Sequence, residues 1–245
     1  PSDTHARWRI LAEILELRGQ RAQPLLEARY LLLVAARLQA AVNRVVLIVL
    51  PPWGLGRRAA ATPRSVSRTR TLLHFFAIGI AFLFIEIAFI QRFLQFLHHP
   101  LDAVSVVLTA FLLFAGLGSL WTSRLRTGRR GVALAVGGIV LLGLLYLQVL
   151  GPVFSELVFL PIGWRIAVSA LLIAPLAFCM GMPFPLGMSR LNHAAPGLAP
   201  WAWGINGCAS VLSAILAALL AIQFGFMAVV LMALLLYIVA ALSYP

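Results

Sequence analysis

The chain has 245 residues, of which 62% are hydrophobic and only 11% charged, with a mean hydropathy of +0.99. That balance excludes a water-soluble globule, whose surface carries about a quarter charged residues. The formal charge of +12 comes from nineteen arginines and no lysine against seven acids, and because these arginines lie mostly between apolar runs they follow the positive-inside pattern of membrane loops rather than a nucleic-acid footprint.

Runs of about twenty apolar residues are the unit to look for, since in lipid each backbone amide must be paired within its own helix. Residues 1–29 come first: Trp8, Ile10, Leu11, Ile14 and Leu15 recur at helical spacing among Arg7, Arg9, Glu13, Glu16 and Arg18, the pattern of an amphipathic surface helix or linker. The transmembrane domain then occupies 30–245. Its predicted spans are 30–50, 72–97, 101–120, 132–149, 166–182, 201–222 and 226–242. The expected fold is therefore all-α, a polytopic helical bundle of seven transmembrane helices. The number falls to six if 30–50, which contains Arg37 and Arg44, is re-entrant or interfacial.

Arginines orient the chain. Arg57, Arg58, Arg64, Arg68 and Arg70 follow the first span, Arg124, Arg126, Arg129 and Arg130 the third, and Arg190 the fifth. Alternating spans put all of these on one side, which is then cytoplasmic, and the predicted location is a bacterial inner membrane. Arg92 and Arg165 fall on the other side. The arginines of 1–29 would join them if 30–50 crosses, against the rule, and would stay cytoplasmic if it does not.

Glu86 stands inside FLFIEIAFIQRFLQFLHHP, residues 82–100. It shares a helical face with Phe82 and Phe89, and at that depth it must face the bundle interior, be protonated, or find a base. Two readings stay open: a proton or cation site, and a buried acid that fixes a neighbouring helix. Gln91 and Arg92 mark the helix leaving the membrane, with Arg92 snorkelling to the interface. His98 and His99 diverge by about 100° on a helix end and make poor partners for one metal. They read as a solvated turn, with Asp102 as the N-cap of the next span.

In PWAWGINGCASVLSAILAALL, Asn206, Ser210, Ser213 and Ala217 form one polar and small stripe, and Ala209, Ser213 and Ala217 a small-residue series on an overlapping face. Such stripes pack helices closely through interhelical hydrogen bonds, or line a substrate path. Trp201 and Trp203 are interfacial anchors. Pro183 and Pro185, beside Gly181 and Gly187 in CMGMPFPLGM, must stop or kink the fifth span. GLGRRA at 54–59 follows an apolar span rather than a strand, so it is not a dinucleotide loop, and GLGSLW at 116–121 reads as close packing. Cys179 and Cys208 read as small packing residues. No motif supplies a catalytic residue, a cofactor site or a metal site.

FLFIEIAFIQRF with HHP, then LLFAGLGSL, MPFPLGM and PWAWGINGCASVL resemble, in order and spacing, the membrane portion of bacterial multi-pass spermidine synthase-like proteins. In that family an aminopropyltransferase- or methyltransferase-type domain is joined to hydrophobic helices. The likeness covers most of 30–225. The soluble domain's glycine-rich loop and acidic residues have no counterpart here, so any enzyme activity that the resemblance implies would reside in a domain outside this chain.

The expected role is an inner-membrane domain that anchors or scaffolds such a soluble enzyme domain or a partner complex of other protein subunits, with its basic side on anionic headgroups. The alternative is a transporter-like module that moves a cation such as a polyamine along a path lined by Glu86 and Asn206.

Overall fold

A computed structural model describes residues 66–124 and 128–245. The expectations placed on 1–65, namely the amphipathic segment, the span 30–50 and the GLGRRA loop, lie outside the described residues. Within them the chain is all-helical, with no strand.

Helix α1, Arg68–Leu97, is 30 residues long, about 45 Å at 1.5 Å per residue. It ends at His98, which takes the left-handed conformation (φ 62°) and donates its N–H to the Leu94 carbonyl at 3.0 Å. Two residues on, Pro100 opens α2, Pro100–Trp121, at the position where a missing N–H costs nothing. So short a link forces an antiparallel pair. The N-cap position belongs to His99, whose carbonyl accepts from Ala103 at 3.0 Å. Asp102, expected to cap, falls instead in the first turn, where its charge still complements the helix N-terminus.

A 3-10 turn, Thr122–Arg124, follows α2. Helix α3, Arg129–Leu157, runs parallel to α1: Tyr146 meets Phe89, and Phe154 meets Phe93 and Phe96. It continues past residue 149, through Pro152, to Leu157. Helix α4, Ile162–Met180, returns antiparallel, with Tyr146 donating its hydroxyl to the Leu172 carbonyl and Cys179 packed on Gly138. It ends at Gly181, and Pro183 opens the short α5, Pro183–Ala194.

Helix α6, Ala199–Leu242, has 44 residues and would be about 66 Å long if straight. It is not straight. Trp201 lies 4.8 Å from the Arg68 guanidinium, while the Ala240 carbonyl accepts from His74, so both ends of α6 meet the same end of α1. The reversal falls at Gly225 (φ 78°, ψ 175°), a backbone that a side chain would strain. Residues 199–224 and 226–242 are therefore antiparallel arms.

Five helical stretches are long and apolar enough to cross a membrane among the described residues. Seven spans were expected. By length and composition, 201–222 and 226–242 fall within one stretch, and 30–50 lies outside the described residues.

Helix α1 is the axis of the bundle. Its most apolar window is 67% buried, against 28% for α2 and 33% for α3. Phe89 is wholly buried there and touches Phe93, Phe111, Tyr146 and Phe226. The outer helices instead expose Leu112, Leu141, Leu171, Ile222 and Leu235, an apolar exterior that water would not tolerate and that acyl chains solvate. This is a multi-pass membrane protein.

Charge divides by end. Arg68, Arg70, Arg124, Arg129, Arg130 and Arg190 gather at the end where α1 and α3 begin, and no side-chain carboxylate accompanies them among the described residues. Arg92, Asp102, Glu156 and Arg165 belong to the opposite end.

Candidate functional site

Glu86 lies near the middle of α1 and is 7% exposed. Its carboxyl makes no ion pair among the described residues. Its electrostatic neighbour is Tyr237 on the returning arm of α6, a wholly buried side chain whose hydroxyl has no hydrogen-bond partner. Tyr237 carried no signal in the sequence beyond being one polar atom in the apolar run LLLYIV.

The Asn206 stripe faces α1 at a different level. Ser213, fully buried, donates to the Ile80 carbonyl at 2.8 Å. Ser210 donates to the Asn206 carbonyl at 2.9 Å, within its own helix. These bonds are available because α1 carries Gly79 at the crossing. A Cβ there would sit 2.6 Å from the Asn206 carbonyl oxygen and 2.9 Å from the Ala209 Cβ. Ala209, Ser213 and Ala217 are all fully buried along this seam. The Asn206 side-chain oxygen is buried and unpaired.

Glu86 and Asn206 are thus set apart along α1. Gly79 and Glu86 are seven residues apart on one helix, about 10 Å, with Phe82 and Leu83, both half-buried, on the face between them. Two clefts at the basic end, one lined by Arg70, Arg129, Arg190, Tyr244 and Pro245 and the other by Arg68, Thr69, Leu72, Leu73, Phe76 and Ile205, include neither Glu86 nor Asn206.

Arg92 does not snorkel freely. Its guanidinium lies 5.8 Å from the ring centres of both Phe154 and Phe226 and donates to Gln95 Oε1 at 2.9 Å, so its charge is folded back over aromatic faces. Arg165 bonds the Leu160 carbonyl at 2.8 Å and the Phe96 carbonyl at 3.2 Å, tying the start of α4 to the end of α1. His98 and His99 are exposed, and no group of three His, Cys, Asp or Glu side chains gathers among the described residues. Cys179 and Cys208 are free thiols. Trp203 is exposed and meets Phe184 edge-on at 4.8 Å, linking the start of α6 to α5.

His74 was passed over in the sequence although it interrupts the apolar run LLHFF. It is fully buried, with Nδ1 at 2.6 Å from the Ala240 carbonyl, which makes Nδ1 the protonated nitrogen. Its ring stands edge-on to Phe75 and Tyr244, and Gly187 packs against Nε2. One side chain thus joins α1, α5 and both the end of α6 and the tail beyond it.

No family model, curated protein or solved structure matches the chain.

Proposed function

We propose that this chain is a multi-pass domain of a bacterial inner membrane that anchors or scaffolds a soluble, spermidine synthase-like domain or a partner complex. The observation that carries the reading is the collection of six arginines at one end without a side-chain carboxylate among the described residues, a surface fitted to anionic headgroups and to an acidic partner. With the two arms of α6 counted separately, a crossing by 30–50 would make seven spans, and six would stand without it. The serines of the Asn206 stripe are engaged with backbone carbonyls, which favours packing over conduction.

The test is purification of the full-length gene product in mild detergent. A soluble domain carried on the same polypeptide, or a stoichiometric protein partner lost when Arg124 and Arg130 are changed to glutamate, is the expected result. A solitary monomer with no such domain overturns the reading.

A transporter-like module remains the second reading, favoured by the unpaired Tyr237 hydroxyl beside Glu86 and by the unpaired Asn206 oxygen. Spermidine uptake into proteoliposomes above that of protein-free vesicles, abolished by Glu86→Gln, would establish it.

A further inference from the structure

Three elements place arginines around one cleft at the basic end. Arg70 comes from the first turn of α1, Arg129 is the first residue of α3, and Arg190 comes from α5; Tyr244 and Pro245 complete a space of about 420 Å³. Two of the guanidinium groups are held in place by main-chain oxygens. Arg70 Nη2 donates to Leu242 at 2.8 Å, and Arg190 Nε donates to Pro245 at 2.6 Å. A guanidinium has five N–H donors, so each keeps several for another acceptor. Tyr244 is buried and spends its hydroxyl on the Leu186 carbonyl at 3.3 Å, which fixes the floor. The side-chain carboxylates of the described residues, Glu86, Asp102 and Glu156, all lie elsewhere.

Convergent guanidinium groups with no side-chain carboxylate among the described residues beside them select a phosphate oxyanion, for which the planar fork is suited. The level of the cleft selects the source of that phosphate. Arg70 and Arg129 sit in the first turns of membrane-crossing helices, and exposed apolar side chains begin about one turn deeper, at Leu73 and Leu134. A phosphate held here therefore lies directly above acyl chains.

We propose that this cleft is a specific binding site for the phosphate of an anionic phospholipid headgroup. The proposal deepens the reading of the basic end as a membrane-facing surface and rests on it. Because the site uses three elements that are distant in sequence, the bound lipid would tie the starts of α1 and α3 to α5 and to the tail after α6.

The test is lipid retention by the purified full chain in detergent, counted by native mass spectrometry against added phosphatidylglycerol and phosphatidylcholine. One phosphatidylglycerol per chain is expected, with affinity falling at least tenfold in Arg70→Gln/Arg129→Gln. Arg124→Gln/Arg130→Gln, which removes the same charge from the same end outside the cleft, should retain it. Equal loss in both double variants would overturn the site in favour of diffuse attraction, as would retention in the cleft variant. Millimolar inorganic phosphate that displaces the lipid would overturn the assignment of source and make the occupant a soluble phosphate compound. Should the double variant misfold by circular dichroism, Arg129→Gln alone carries the comparison. Retention is read in detergent whatever the orientation of the chain, so failure of the topology and failure of the site give different results.

Discussion

Gly79 and Asn206 lie so close that a Cβ on the glycine would sit 2.6 Å from the Asn206 carbonyl oxygen. The obstruction is backbone, which cannot rotate away as a side-chain tip can. Gly79→Val should therefore separate α1 from the outgoing arm of α6, at a cost of at least about 1–3 kcal/mol. Thermal unfolding in detergent checks this. Gly116→Ala is the control, because a Cβ there meets nothing within 4 Å, and it should leave the midpoint nearly unchanged.

Ser213 donates across the same seam to the Ile80 carbonyl. That carbonyl is also a helix acceptor, so removing the hydroxyl does not orphan it. Ser213→Ala should destabilise by only about 0.6 kcal/mol, and by no more than about 1.7. A small drop in unfolding midpoint, well below that of Gly79→Val, is the expected ranking. A larger drop for Ser213→Ala would mean that the hydrogen bond, and not the close approach, holds the crossing.

Glu86 and Tyr237 are both buried inside the bundle. Glu86→Gln keeps the shape and a hydrogen-bonding group, so the folded protein should survive with little change in stability, whereas Glu86→Ala leaves a cavity at a buried position and should cost several-fold more. On the scaffold reading, neither the native chain nor Glu86→Gln moves spermidine into vesicles faster than lipid alone. Uptake by the native chain that is lost in Glu86→Gln would reverse that conclusion.

Gly225 reverses the path of α6, so Gly197 and Leu242 should lie on one side of the membrane and Gln223 on the other. In a chain with Cys179 and Cys208 changed to alanine, Gly197→Cys and Leu242→Cys should react with a membrane-impermeant thiol reagent from the same side as Ser123→Cys. Gln223→Cys should react from the side of Phe159→Cys, where α3 joins α4. All five positions are exposed. Labelling of residue 242 from the side of residue 223 would reject the two-arm topology.

Much of this bundle was legible in the sequence because hydropathy is a local property. The apolar runs place α1, α2 and α4 within a few residues of their observed bounds and stop eight short of the end of α3, and Pro100 and Pro183 mark helix starts because a proline N–H is missing wherever it stands. The small-residue stripe from Asn206 to Ala217 announced a close crossing for a similar reason: small side chains permit approach whichever helix arrives.

What only the tertiary structure decided was which helix arrived and which polar groups met. Gly79 is unremarked in sequence and becomes essential because Asn206 lies on it. His74 and Tyr237 are single polar residues in apolar runs, and their roles come from Ala240 and Glu86, which are 166 and 151 positions away along the chain. Glu86 and Asn206, a plausible pair by composition, lie about two turns apart along α1. Three arginines of the basic end converge on one cleft because the starts of α1 and α3 lie beside the later half of α5. Lipid solvation sets each span from its own residues, but partner choice depends on shape and on unpaired polar groups across helices, and those have no representation in a single stretch of chain.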